Sequence, residues 1–384
     1  MKSRSAIRLA VTLALGALLF SCTAQGGSIY AIIETAKKTY VSTLDTTLTV
    51  LDLVNTGSTT LPYFVAAGAV YNGTPPNLNN VIGWPNYGAN PIPVSPPVSG
   101  ALCTALVFYN TTLYGAFFTS NGSTMGLYQS PPTNPSFSTP VADSHVAGKQ
   151  ITLLQVANGN LCAVVATPSS GTSGFTYELD YSTNGISFSL ATGLTGLTTP
   201  ITGVGFQGGT YYVTTGSALY SGGALGTLSA GTISGPDFSL ANGEVLNGVT
   251  VDNGYVFIPS SNGAVYYYNG SAWNKASTSD SINSRSIIFL TVSTNIDTSA
   301  PPGTGVIYIA GADGAGFYYL NLSNNSLARF SDVTVTGLYA GAVRRVLVDP
   351  VQNNTVFLGT AGTGLWRANF DPSTGAVIST WIQE

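Results

Sequence analysis

Side chains able to do acid–base or ionic chemistry are scarce here: Asp, Glu, Lys and Arg make up 7% of 384 residues. About a third of them lie in a few short stretches. "VADSHVAGK" carries Asp143, His145 and Lys149, "SGPDFSLANGEV" carries Asp237 and Glu244, and "TSDSINSRS" carries Asp280 and Arg285. Asp313 stands in "GADGAG" and Asp332 in "FSDVTVTGLYAGA". Brought onto one face, these residues would form a polar, mainly acidic rim able to hold a sugar, a peptide or a cation. Kept apart, they are ordinary solvated charges on separate loops. Catalysis has little to work with. Ser and Thr are abundant, but His145 is the sole histidine, so an activated hydroxyl lacks a choice of bases and a metal site lacks a second imidazole. A glycosidase pair would have to combine distant carboxylates, such as Asp143 with Asp280 or Asp313. "GTAGTG" has no Walker lysine. The expectation is a chain without catalytic residues, metal or cofactor.

The charged stretches connect a repeat. Seven hairpin-like copies begin at Pro62, Leu113, Leu161, Thr210, Tyr255, Gly305 and Thr355, a period close to 49 residues. Each is an apolar-aromatic run, a turn of small residues and a second run, as in "TYYVTTGSALYSGG" and "TVFLGTAGTGLWRANF". A further run precedes most copies, for example "LTVLDLV", "ITLLQVA" and "RRVLVD", and a shorter one often follows. Four strands per unit of this length is the grammar of a propeller blade. The sequence therefore predicts an all-β fold, a seven-bladed β-propeller with four-stranded antiparallel blades, over residues 48–384. A transmembrane β-barrel shares the low charge and alternation but lacks a 49-residue unit, and a parallel β-helix needs shorter rungs. The tyrosines, 21 in all, recur at equivalent hairpin positions. They read as packing between blades, with a sugar-stacking row as the alternative.

Residues 1–21 have a basic start, Lys2, Arg4 and Arg8, and then an apolar run too short to span a bilayer. That is the layout of an export signal. Leu19-Phe20-Ser21-Cys22 resembles the lipobox of bacterial lipoproteins, which implies cleavage before Cys22 and acylation of its sulfur; Phe20 departs from the usual small residue. Residues 22–47 would be a tether, in which residues 29–34 read as one strand available to close the ring beside "ISTWIQE". Without residues 1–21 the chain has 9 basic and 16 acidic side chains, a net charge near −7. With no basic cluster, that excludes nucleic acid and leaves the lipid as the only membrane contact. Cys103 and Cys162 lie in apolar runs and read as buried free thiols.

In "YSTNGISFSL", Ser182, Asn184, Gly185 and Phe188 resemble the Asp box, the structural turn of sialidase-like propellers, with Asn184 in place of Asp and Phe188 in place of Trp. A sialidase would also need three arginines about the axis, but the mature chain's five all fall between Arg285 and Arg367. "VFLGTAGTGLWR" looks like the blade core of sensor-associated bacterial propellers. Taken whole, lipobox, spacer and tyrosine-rich blades resemble the β-propeller lipoproteins of bacteria, spirochaetes included. The resemblance implies a monomeric, exported, lipid-anchored envelope module that binds or scaffolds a surface or envelope protein, or a glycan, without catalysis. A carbohydrate-binding or glycoside-hydrolysing propeller is the alternative.

Overall fold

Some of the runs that recur in the sequence are strands buried on both faces. Asn160–Pro168 buries every side chain from Leu161 to Ala166, and Thr355–Thr360 buries all six. Burying a large apolar side chain contributes about 1.5–3 kcal/mol, so these strands are held from both sides by neighbouring sheets. The computed structural model describes residues 49–68, 81–84, 92–119, 124–169, 174–230, 240–252, 254–277, 287–292, 306–311, 317–322, 325–329, 343–348, 355–360, 364–369 and 381–383.

Among these residues the strands form successive antiparallel meanders of four: 49–94, 101–140, 150–190, 201–230, 250–277, 287–329 and 343–383. Hydrogen bonding corrects one expectation. The sheets number six and not seven, because the fifth and sixth meanders share an eight-stranded sheet through a single parallel bridge, Ser277 to Ser326. The physical reason is the close approach of adjacent outer strands. The first two meanders make a like bridge, Ser95 to Ser136, but there both residues lie outside regular strands and the sheets stay separate.

The first strands of the meanders are Thr49–Asn55, Ala101–Tyr109, Gln150–Ala157, Ile201–Gln207, Thr250–Asp252, Ile287–Val292 and Val343–Val348. Each contacts the next, and the last contacts the first, so the sheets close into a ring around an axis. The core lies between sheet faces. Leu154, Leu161, Val165 and Phe188 pack with Tyr114 and Leu127 of the preceding meander. Across the closure, Leu53, Tyr63 and Val65 pack with Phe357 and Leu365. Such a ring of face-packed sheets is a propeller and not a single barrel.

Six of the seven first strands carry an extra residue at the same place, residues 51, 104, 152, 202, 288 and 344. A bulge re-aims the side chains beside it and bends the strand. The axial edge of each first strand has no sheet partner, and side chains of neighbouring strands satisfy part of it. Asp52 accepts from the Leu106 N–H (2.9 Å), Thr104 donates to the Ile151 carbonyl (3.2 Å), and Gln155 accepts from the Val204 N–H (2.6 Å). Residues 29–34, expected to help close the ring, lie outside the described residues.

Candidate functional site

The bulges bring two opposite charges to the axis. Asp52 follows the bulge of the first meander and Arg345 follows that of the last, so equivalent positions of the repeat meet where the ring closes. Arg345 Nε lies 3.2 Å from Asp52 Oδ1, and both side chains are partly buried. Asp52 also accepts from its neighbour Leu53 N–H (2.9 Å), so one carboxylate joins the last, first and second meanders. Around this pair lies an axial cavity of about 130 Å³, lined also by Gln155, Thr202, Asn247 and Thr250 over an apolar floor that includes Leu153 and Val249. On that measure one water takes about 10–15 Å³, so the space suits a side chain or chain end rather than an oligosaccharide.

The residues expected on the rim are placed differently from one another. Asp143 and His145 come together in the 141–149 link between the second and third meanders. Asp143 accepts from the backbone N–H of His145 (2.9 Å) and of Phe188 (3.0 Å). Burial opposes its charge, but the two N–H groups and His145 outweigh that and hold its carboxyl below the ordinary value. Lys149 is half-buried at the end of the link. Glu244 is buried elsewhere, accepting from Ala241 N–H (2.9 Å) and from the Tyr266 hydroxyl (3.1 Å). Asp237, Asp280, Arg285, Asp313, Asp332 and the lipidation candidate Cys22 lie outside the described residues. Among the described residues, no group of three or more His, Cys, Asp or Glu is placed to hold a metal.

The "YSTNGISF" turn is held by its own side chains. Ser182 Oγ accepts from Gly185 N–H (2.8 Å), and Asn184 Oδ1 accepts from Ile186 and Ser187 N–H (2.8 and 2.9 Å). Gly185 has φ +77°, and Phe188 is buried in the core between meanders. Beside it lies a residue the sequence reading missed. Asp180 is fully buried, and its Oδ1 lies 2.9 Å from His145 Nδ1. Burial first, and Glu178 second, push its carboxyl up to about 7. Asp52 and Gln155 were missed as well, and Arg345 was weighed only as one of five arginines. The axial pair puts opposite charges at equivalent places in "TVLDLV" and "VRRVLV", but that equivalence rests on the bulge register, which the sequence alone does not give.

The tyrosines tie meanders together. Tyr109 Oη lies 2.7 Å from the carbonyls of both Gly159 and Thr183, and Tyr211 Oη accepts from Asn158 and Asn160 amides (3.2 and 2.7 Å). Tyr267 donates to Asn325 in the same way. Cys103 and Cys162 are buried thiols, as expected. Burial pushes both thiols up, Cys162 to about 12, so neither is a nucleophile.

Comparison with solved structures finds the same architecture. The WD40 β-propeller domain of Doa1 matches with a TM-score of 0.54 at 11% identity, over 84% of this chain and 93% of that one. The fold is a β-propeller. YCF48 bound to D1 peptide matches with a TM-score of 0.56 at 13% identity, over 87% of this chain and 95% of that one. The GH74 xyloglucanase from Xanthomonas campestris matches with a TM-score of 0.57 at 12% identity, over 88% of this chain and 55% of that one. At these identities the likeness is one of fold. No family model and no curated protein matches the chain.

Proposed function

We propose that the chain is a lipid-anchored propeller of the cell envelope that binds or scaffolds a protein partner without catalysis, its axial cavity receiving a side chain or chain end of that partner. The observation that carries this reading is the state of Asp52, whose carboxylate is committed to Arg345, Leu53 and Leu106. Glycoside hydrolysis needs two carboxyl groups roughly 5–9.5 Å apart, one free to exchange a proton. The described lining of the cavity supplies one carboxylate, engaged as an acceptor. The solved propeller with a bound peptide supports the choice of a peptide partner. On this reading Cys22 carries the lipid, and Lys149 with Asp237, Asp280, Arg285 and Asp332 forms a secondary rim.

The test is a photoreactive amino acid at Thr202 in intact cells, with Ile186 as a control on another surface. A discrete protein adduct from Thr202 alone, lost on Asp52→Ala, supports the reading. Turnover of a chromogenic glycoside by the purified chain, abolished by Asp52→Asn, would replace it with a carbohydrate-active propeller. Palmitate labelling of the wild type but not Cys22→Ala tests the anchor. Protease shaving of intact and opened cells reports the membrane face.

A further inference from the structure

The 141–149 link is fastened to the third meander by two kinds of contact. Val141 and Val146 are buried in the core between the second and third meanders. The polar contacts lie between and beside them: Asp143 holds the backbone N–H groups of His145 and Phe188, and His145 Nδ1 meets Asp180 Oδ1. Asp180 Oδ2 is buried with no hydrogen-bond partner. An orphaned buried carboxylate oxygen is costly when charged and far less so when the group carries a proton. His145 is the only histidine in the sequence and is 37% exposed, so solvent reaches the ring that covers this oxygen's neighbour.

We propose that Asp143, His145 and Asp180 form a proton-operated clasp that docks the 141–149 link on the third meander, closed in mild acid and loosened as pH rises to neutrality. The groups that face Asp180 are Glu178 on its own strand and His145 and Asp143 on the link. Tyr109 and Tyr114 of the second meander reach the adjoining 183–185 turn, and burial pushes their phenols up, so they stay neutral throughout. Asp143, held below its ordinary value, stays ionised and keeps its two N–H bonds across the range.

The direction follows from linkage. Docked, Asp180 keeps its proton up to about 7; released, it returns toward the ordinary 3.8. Docking therefore takes up a proton between those values and is favoured at their acid end. The link runs directly into Gln150–Ala157, whose Leu153, Leu154 and Gln155 line the axial cavity, so docking also sets that wall.

Hydrogen exchange on the full chain tests the clasp. After correction for intrinsic exchange, protection of the 141–149 amides and of Phe188 should fall on the order of tenfold or more from pH 5 to pH 7. Protection of the 161–166 amides should stay level. In Asp180→Asn, which keeps an acceptor but cannot titrate, the fall should vanish. A level wild-type profile overturns the proposal whether or not the variant folds, and so does an unchanged slope in Asp180→Asn. A nuclear magnetic resonance titration of the single imidazole reads the same event directly: its signals must sense a transition that Asp180→Asn removes, and identical titrations would refute the contact.

Discussion

Replacing Asp52 by alanine should cost the fold about 3 kcal/mol, mostly at the ring closure. Two losses make up that figure. The Leu106 N–H, on a residue 2% exposed, loses its acceptor, and an unsatisfied buried donor costs about 1–3 kcal/mol. Arg345 loses its ion pair with Asp52. Breaking a fully buried pair costs about 3–5 kcal/mol, but these side chains are 29% and 15% exposed, so about 1 kcal/mol is the fitting share. At about 2.1 cal/mol/K of unfolding entropy per residue, a domain of this length should melt roughly 4 °C lower. Asp52→Asn, which keeps one acceptor oxygen and loses the charge, should fall about half as far. The assay is thermal and urea unfolding of Asp52→Ala, Asp52→Asn, Arg345→Met and the Asp52→Asn/Arg345→Met double variant. Coupling of about 1 kcal/mol between the two sites is expected, because each group answers the other across the closure. Additive effects, or a loss below about 0.5 kcal/mol in Asp52→Ala, would refute the claim that this carboxylate fastens three meanders.

Gly185→Ala tests the close approach at the "STNG" turn. A Cβ there would stand 2.1 Å from Tyr114 Oη on a backbone at φ +77°, so a loss of about 2 kcal/mol or more in urea unfolding is expected, eased in Gly185→Ala/Tyr114→Phe. Tyr211→Phe leaves the Asn158 and Asn160 amides without their hydroxyl and should cost about 1 kcal/mol, with faster exchange at the 158–160 turn. Cys103 and Cys162 should resist a thiol reagent in the native state at pH 8 and react fully in denaturant; rapid native labelling of either would contradict its burial.

What was legible in the sequence tracks what packing repeats. "LCAVVA" and "TVFLGT" announce themselves because a strand sandwiched between two sheets must be apolar on both faces, whatever its blade. The turn residues were legible for a similar reason: Ser182 and Asn184 satisfy backbone N–H groups within a few residues of themselves. The axial chemistry was hidden because a closed ring needs it only once. Asp52 and Arg345 are 293 residues apart, and no local pattern marks them; only the register of the bulges, which aligns Leu51 with Arg344, shows that they share a position. Asp180 was hidden for the opposite reason. It sits in "FTYELDYS" among polar residues that look solvated, yet it is fully buried, with His145 of the link against its Oδ1. His145 and Asp143 were visible as rare charges, but "VADSHVAGK" also carries Val141 and Val146, the apolar pair that carries those charges inward against a sheet rather than outward onto a rim. In a chain so poor in charge, an ionisable residue flanked by buried valines is better read as a fastening than as a free surface group.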